Sequence, residues 1–366
     1  MTQAVIPAAS WASDHTASDI VRRIEQARSV VLLTHIKPDG DAVGSTLGLA
    51  RAINLAAPPA NRSGAASKAE CWYAGPVPGW FDQIRGATKT RVLLDDEQPP
   101  KTVDPDLTII CDTGAWTQLQ PFRGWLEGRA DRTVVIDHHL SGDADTASVR
   151  LVSTRAAAAC QVVAPICEEL LQTFSCATLP LEVAEPLYLG LCTDTGWFRH
   201  SNVTPEVMRL AADLLEAGVN AGPLFESVEQ QDRPSRLLLL KRALERSSFE
   251  LDDRAVVLPL SVGDFDETGA APGDSGNFHD VVKSIARVRV SAVLTEQRGT
   301  PTVTKVSMRS KSATFNAPMI DVNRVARGLG GGGHAQAAGA RIEAPLAEAK
   351  AAVIDALRQA FAESAS

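Results

Sequence analysis

The sequence HIKPDGDAVGS, residues 35–45, directly follows the apolar run SVVLLT at residues 29–34. The run is short and rich in β-branched residues, which predicts a buried strand. Apolar residues at helical spacing then predict a helix over residues 41–55. A strand that passes into a helix through a polar loop is typical of α/β folds. The plain structural interpretation of the loop is a turn in which Asp41 caps the helix.

Polar side chains also follow two further apolar runs, LTIIC at residues 107–111 and TVVI at residues 133–136. Asp112 comes directly after the first run, and Asp-His-His at residues 137–139 comes directly after the second. Alone, a strand-end acid is commonly a turn or cap, and two histidines can be satisfied at a surface turn. Because ligands bind at the carboxyl ends of strands in open parallel sheets, we expect these side chains to form one site.

A fourth motif, GLCTDTG at residues 190–196, ends a predicted apolar helix with an acid, and helix capping is its structural alternative. The motifs are rich in aspartate and histidine, and we expect four aspartates and two histidines to converge at one place. Such a group would repel itself strongly without cations. Carboxylates with imidazoles suit Mn²⁺, Mg²⁺ or Co²⁺. Two such ions about 3.5–4 Å apart can activate a water and hold a phosphoryl group.

The remaining segments predict an α/β protein with two domains and a hinge between them. Predicted helices alternate with the strands and cover residues 156–174, 181–192 and 204–218, which favours a mostly parallel N-terminal sheet. The hinge is expected over residues 222–223 and 230–236, which have little apolar content. We expect a first domain at residues 1–228 and a smaller α/β domain at residues 229–366. The second domain has predicted strands and helices at residues 255–260, 287–295, 301–308 and 321–327, and a last helix carrying Leu346, Val353, Leu357 and Phe361.

The composition of the 366 residues is that of a globular protein with an uneven charge distribution. The formal net charge is −8, but residues 281–330 hold nine basic and two acidic residues. This pattern suits a cation site in one place and a phosphate site in another. We see no signal peptide and no apolar run near the roughly 18 residues of a membrane span. Six scattered cysteines without a CxxC pair favour a reducing, cytoplasmic location.

In their order and spacing, the four motifs resemble the DHH phosphoesterase superfamily. The resemblance implies that one metal ion is held by His35, Asp39 and Asp112. It implies that the other ion is held by Asp41, Asp112, His138 and Asp194, so that Asp112 bridges the two. His139 would face the scissile phosphate, and Asp137 would orient a histidine. The implied cofactors are two divalent cations, with Mn²⁺ favoured over Mg²⁺ and Co²⁺.

The C-terminal half carries a second signature, with Arg309 and Ser310 at a predicted strand end and the run GGGGH at residues 330–334. Consecutive glycines leave backbone amides accessible, which predicts an anion-binding loop, and the structural alternative is a flexible linker. The segment resembles the DHH-associated domain. That resemblance implies that the distal part of the substrate is bound by Arg309, Ser310, Gly331, Gly332, Gly333 and His334.

Within this superfamily, the features fit best the branch of nanoRNA exonucleases and bisphosphate-nucleotide phosphatases. The expected reaction is hydrolysis of 5′-phosphorylated oligoribonucleotides of two to about five nucleotides to mononucleotides, with 3′-phosphoadenosine 5′-phosphate as a second substrate that gives AMP. A linear or cyclic dinucleotide phosphodiesterase is the alternative with the same chemistry. A non-catalytic nucleotide-sensing protein is the alternative of another class. The expected partners are short RNA oligonucleotides and nucleotide bisphosphates, with no membrane, and a homodimer is one open alternative for the oligomeric state.

Overall fold

The predicted α/β class is confirmed by the computed structural model, which describes residues 11–57, 68–94, 97–314 and 318–364. The chain divides into two compact units, residues 1–231 and 232–366. Each unit contains its own sheet. No helix in the described ranges is both long enough and apolar enough to cross a bilayer.

The sheet of the first unit is parallel throughout its described strands and is buried on both faces. Its strands are β1 (Val30–Leu33), β2 (Ala69–Ala74), β3 (Thr90–Leu93), β4 (Leu107–Cys111), β5 (Thr133–Asp137) and β6 (Val149–Val152). The strand order is β3-β2-β1-β4-β5-β6. Since the chain builds outward from β1 in one direction and then from β4 in the other, the order reverses between β1 and β4. Such a reversal opens a crevice at the carboxyl ends of the strands.

The helices of the first unit bring the loop after β1 against two later helices. The helices are α1 (Ala17–Gln26), α2 (Gly40–Ala56), α3 (Phe81–Arg85), α4 (Arg123–Leu126), α5 (Ala159–Leu171), α6 (Leu181–Asp194), α7 (Pro205–Glu216) and α8 (Ala221–Glu229). Helices α2 and α6 approach so closely at Gly44 that an added Cβ would lie 2.2 Å from the carbonyl oxygen of Pro186. A Cβ on Gly190 would lie 2.3 Å from Sγ of Cys160 in α5. The two glycines therefore allow the three helices that border the site to meet.

The boundary between the two units, after residue 231, falls inside the segment where the hinge is expected, and part of that segment is helical. Residues 222–223 lie in the first turn of α8, and α9 begins at Pro234, leaving residues 230–233 between the two helices. Proline is tolerated there because backbone N–H groups in the first helical turn have no partner within the helix.

The second unit is a mixed sheet with helices and apolar side chains on both faces. Its strands are β7 (Ser248–Glu250), β8 (Ala255–Leu260), β9 (Val290–Gln297), β10 (Val303–Ser310), β11 (Gly332–His334) and β12 (Ala337–Ile342). Its helices are α9 (Pro234–Glu245), α10 (Val262–Thr268), α11 (Phe278–Lys283), α12 (Val322–Gly328) and α13 (Leu346–Glu363). The strand order of this sheet is β11-β12-β10-β9-β8-β7. Among its described strands, only β8 and β9 pair in parallel. Helix α13 buries Val353, Leu357 and Phe361 as its spacing predicts, while Leu346 is partly buried.

Candidate active site

The first site residues follow β1, beside the point where the strand order reverses. The imidazole Nε2 of His35 lies 3.4 Å from Oδ2 of Asp112 and 3.7 Å from Oδ1 of Asp39. Its Nδ1 lies 2.9 Å from the carbonyl oxygen of Ile36. Because a carbonyl oxygen only accepts hydrogen bonds, Nδ1 must carry a proton there. A neutral His35 therefore presents the lone pair of Nε2 to the carboxylates, as a metal ligand does.

Helix α2 is capped by Asp39 and not by Asp41, so the capping interpretation of Asp41 was wrong. Oδ1 of Asp39 accepts hydrogen bonds of 3.1 Å from the backbone N–H groups of Asp41 and Ala42. The side chain of Asp41 is fully buried and points away from its own helix end, toward helix α5.

Asp41 accepts a 2.5 Å hydrogen bond from the backbone amide of Ala159 and a 2.9 Å hydrogen bond from that of Cys160. These amides belong to the first turn of α5, whose own N-cap residue, Ala158, has no capping side chain. The carboxylate thus caps α5 from a distant part of the sequence and is stabilised by the positive end of the helix dipole. Sequence reasoning missed both amides, because they follow Asp41 by 118 and 119 positions and no local pattern connects residues so far apart.

Asp112 occupies the centre of the cluster. It is 3 % exposed and adopts a left-handed backbone conformation with φ of 63°. Its Oδ2 faces His35, while its Oδ1 lies 3.3 Å from Nε2 of His138. Residues other than glycine adopt this conformation infrequently, and aspartate is among those that tolerate it best. The turn lets one carboxylate contact imidazoles from two different strand ends.

A second set of ligand atoms surrounds His138 after β5. Its Nε2 lies 3.3 Å from Oδ2 of Asp194 and 3.8 Å from Oδ2 of Asp41. Its Nδ1 lies 3.4 Å from the carbonyl oxygen of Ala156, which leaves Nε2 as the ligand atom. The structure brings together, within 4.8 Å of one another, ligand atoms of His35, Asp39 and Asp112, and likewise those of Asp41, His138 and Asp194.

The adjacent His139 makes different contacts. Its Nδ1 lies 2.8 Å from Oδ1 of Asp137, which also accepts the backbone amides of His138 at 2.7 Å and His139 at 3.2 Å. Asp137 is fully buried, whereas the side chain of His139 is 54 % exposed. The hydrogen bond with Asp137 is the main reason why the pKa of His139 is raised. Asp137 therefore fixes the ring through Nδ1 and leaves Nε2 available.

The crowding of buried carboxylates makes the cluster favour positive charge. Burial, and then the neighbouring carboxylates of Asp41 and Asp112, raise the pKa of Asp194 to about 9. Burial and the charge of Asp112 likewise raise the pKa of Asp41. Burial alone would lower the pKa of His35, but its contacts with Asp112 and Asp39 outweigh burial and raise this pKa to about 11. Without another cation, the cluster has to take up protons.

The donor set fits divalent cations. Among the described residues, the buried atoms Oδ1 of Asp112 and Nε2 of His138 have no hydrogen-bond partner. Buried polar atoms are seldom left without a partner, and metal coordination would satisfy both. The set is made of carboxylates and imidazoles without a thiolate, which suits Mn²⁺, Mg²⁺ or Co²⁺.

The predicted residues of the second unit lie at one end of its sheet. In the strand register, Arg309 of β10 and His334 of β11 both pair with Ala337 of β12. Arg309 is partly buried, and one Nη donates to the carbonyl of Met308 at 3.0 Å. Ser310 is buried, and its hydroxyl donates to the carbonyl of Lys311 at 3.2 Å.

The glycine run is not a flexible linker, and two of its residues lie in a strand and not in a loop. Gly332 and Gly333 lie in the edge strand β11, paired with Gly339 and Ala338 of β12. Gly331, just before it, donates its amide to the carbonyl of Ala326 at 2.8 Å. A Cβ on Gly331 or Gly333 would lie 2.1 Å or 2.5 Å from a carbonyl oxygen of β12, so close strand pairing requires glycine at both positions.

The raised pKa of Asp194 gives a testable dependence of stability on pH in the metal-free protein. The unfolded chain loses this proton near the ordinary value of 3.8, and the folded chain near 9. The free energy of unfolding in chelator should therefore fall as pH rises between these values. Asp194→Asn cannot ionise, so its Tm in chelator should exceed that of the wild type at about pH 8, and the difference should shrink toward about pH 5.

The matched control for this experiment is Asp82→Asn, because Asp82 is 83 % exposed and pairs with Arg85 on α3. Added Mn²⁺ should raise the Tm of the wild type and of the control more than that of Asp194→Asn. A lower Tm for Asp194→Asn than for the wild type in chelator at about pH 8 would show that Asp194 is not crowded by like charges.

Comparison with known proteins agrees with this geometry. Residues 29–191 match the family model described as DHH family, N-terminal domain, and residues 252–363 match the DHHA1 domain. The chain is 29 % identical to the bifunctional oligoribonuclease and PAP phosphatase NrnA of Thermus thermophilus, over 95 % of this chain and 94 % of the relative. It is 25 % identical to the probable bifunctional oligoribonuclease and PAP phosphatase NrnA of Streptococcus mutans, over 88 % of this chain and 92 % of the relative.

A solved structure shares the fold. The exopolyphosphatase-related protein from Bacteroides fragilis has a TM-score of 0.78 and 22 % identity, and the likeness covers 95 % of each chain. The DHH match contains five of the six clustered residues and ends shortly before Asp194. With a DHH domain followed by a DHHA1 domain, and with acidic and imidazole groups gathered at the edge of its parallel sheet, the chain belongs to the DHH phosphoesterase family.

Proposed function

We propose that this phosphoesterase hydrolyses 5′-phosphorylated oligoribonucleotides of two to about five nucleotides to mononucleotides, and 3′-phosphoadenosine 5′-phosphate to AMP. The observation that carries the proposal is the meeting of two groups of metal-ligand atoms at the carboxyl edge of the parallel sheet. The names of the relatives from Thermus thermophilus and Streptococcus mutans support the choice of substrates.

The proposed metal ligands follow the two clusters. His35, Asp39 and Asp112 would hold one divalent cation, and Asp41, Asp112, His138 and Asp194 the other, with Mn²⁺ as the favoured ion. When bound, two such cations supply Lewis acidity and positive charge for hydrolysis of a phosphate ester. Asp112 is the residue suited to both, because its two oxygens face different histidines.

His139 is the proposed catalytic histidine. The carboxylate of Asp137 accepts a hydrogen bond from Nδ1–H of His139. A protonated His139 therefore carries its second proton on Nε2. In this form, Nε2 can donate a hydrogen bond to the phosphate or pass its proton to the leaving oxygen. The raised pKa of His139 supports this role, because it increases the fraction of protonated ring near neutral pH.

In the second unit, we propose that Arg309, Ser310, Gly331, Gly332, Gly333 and His334 bind a substrate phosphate other than the scissile one. The shared register of Arg309 and His334 at Ala337 supports a common site for these two residues. A guanidinium is well suited to this role, because it can give two parallel hydrogen bonds to a phosphate.

The six cysteines are all free and buried, which supports a cytoplasmic location.

The direct test of the proposed function is a time course with labelled RNAs from two to about 24 nucleotides long. The dinucleotide and 3′-phosphoadenosine 5′-phosphate should be hydrolysed with Mn²⁺, activity should fall steeply beyond about five nucleotides, and excess chelator should abolish it. Faster cleavage of long RNA, or release of product in excess chelator, would contradict the proposal. Tight nucleotide binding without turnover would favour a sensor.

The two adjacent histidines should differ in their substitution phenotypes. His139→Ala should lower kcat by about 10²–10⁴-fold with little change in metal content, because His139 is placed at the reacting phosphate. His138→Ala should lose bound metal, since Nε2 of His138 faces three carboxylates of the cluster. Elemental analysis and steady-state kinetics on both variants would test this, and the opposite pattern would reverse the two assignments.

Arg309→Ala should weaken hydrolysis of the dinucleotide by about ten- to a hundredfold in kcat/KM, since hydrogen bonds to charged groups contribute about 1.5–3 kcal/mol. An aryl phosphodiester that reaches only the metal cluster should be cleaved almost as by the wild type. The control is Arg341→Ala, because Arg341 is an exposed guanidinium on the neighbouring β12, in register with Lys305. Equal losses on both substrates would show that Arg309 does not bind the second phosphate.

A further inference from the structure

The N-terminal segment, residues 11–16, is fixed along the outer edge of the first sheet. Ser13 accepts the amide of Val152 on its hydroxyl oxygen at 2.9 Å, and the amide of Asp14 donates to the carbonyl of Arg150 at 3.1 Å. The carboxylate of Asp14 also forms a 2.7 Å ion pair with Arg150, which is 8 % exposed. These contacts hold the segment in a defined place beside β6.

Trp11, at the start of this segment, contacts the loops that follow β4 and β5. Its indole N–H donates to the carbonyl oxygen of His139 at 3.1 Å. Its ring lies directly against Gly114 and Gly142, where an added Cβ would be 1.8 Å and 2.5 Å from the nearest ring atom. Gly114 follows Asp112 by two residues, and Gly142 follows His139 by three.

The two loops also contact each other beside Trp11. The amide of Asp143 donates to the carbonyl of Gly114 at 3.0 Å, and the carboxylate of Asp143 accepts the amide of Trp116 at 2.7 Å. Trp11 therefore packs on a pair of joined loops, one carrying the central carboxylate of the cluster and the other carrying the half-exposed histidine. The sequence gives no sign of this contact, since 128 positions separate Trp11 from His139.

We propose that Trp11 is a positioning residue that fixes the backbone of His139 together with Asp137. Asp137 holds the amide and the ring of His139, and Trp11 holds its carbonyl. With both in place, the peptide units before and after the Cα of His139 are each held by a hydrogen bond, which restricts the direction of the imidazole. The metal ligands Asp112 and His138 have side-chain contacts of their own, so metal binding should depend little on Trp11. The expected effect on catalysis rests on the proposed function.

Four variants test the contact and its consequence. Trp11→Phe keeps an apolar ring but lacks the N–H that holds the carbonyl of His139. It should lower kcat for the dinucleotide by about tenfold, because misplacement of a catalytic group by about 1 Å can cost a hundredfold. KM and Mn²⁺ content should be almost unchanged. Trp11→Ala should lower kcat further. Gly114→Ala should resemble Trp11→Ala, because its Cβ would displace the indole. In the double variant that combines Trp11→Ala with Gly114→Ala, kcat should be no lower than in Trp11→Ala alone.

The control is Gly124→Ala, since a Cβ built at Gly124 meets nothing within 4 Å apart from its chain neighbours and the backbone of its own helix. A second readout does not depend on activity. In the metal-free protein, the ring NMR signals of His139, assigned through their loss in His139→Ala, should shift in Trp11→Phe. The signals of His279, which is buried against Ser291 in the second unit, should stay in place.

The outcomes separate this inference from the proposed function. Inactivity of the wild type on every substrate would contradict the proposed function, while the His139 signals would still decide whether Trp11 positions the ring. Unchanged His139 signals in Trp11→Phe, or additive losses of kcat for Gly114→Ala and Trp11→Ala, would overturn the inference. A combined loss of Mn²⁺ content and Tm in Trp11→Phe would overturn it too, since that pattern shows general support of the fold.

Discussion

The crowding of buried carboxylates at one edge of the parallel sheet is the constraint on which the first unit depends. Asp41, Asp112 and Asp194 each lie within 4 Å of the same imidazole nitrogen of His138. Charges removed from water are costly unless opposite charges and hydrogen bonds compensate them. Two imidazoles and the first amides of α5 supply part of this compensation. Divalent cations would supply the rest, which links the stability of this edge to metal binding.

Several local features hold the carboxylates together against their repulsion. Gly44 and Gly190 let α2, α5 and α6 approach closely enough for Asp41 to reach the amides of α5. The left-handed conformation of Asp112 directs its carboxylate to two histidines. Trp11 also packs on the loops after β4 and β5. A strained residue persists only where its surroundings determine it strongly, as they do at Asp112.

The parts of the fold that local patterns specify could be predicted from the sequence. Strands β1, β4 and β5 are continuous apolar runs because both faces of the sheet are covered, and each ends in polar residues that the structure brings together. Strand β6 could not be found this way, because its buried Arg150 is balanced by Asp14, 136 positions away. The glycine run at residues 330–333 showed a permissive backbone but not its partner, and pairing with β12 decides its structure. The amides that bind Asp41 were likewise invisible locally.

In this proposal, Asp112 joins two cation sites in one cluster. Equilibrium titration of the metal-free chain with Mn²⁺, followed by the signal of free Mn²⁺ in electron paramagnetic resonance, measures this directly. We expect two ions per wild-type chain and, for Asp112→Asn, loss of tight binding at both sites, while Asp82→Asn binds as the wild type does. Asparagine also tolerates the left-handed conformation, so the substitution removes the charge and leaves the backbone in place. Binding of two ions with wild-type affinity by Asp112→Asn would show that Asp112 does not join the two sites.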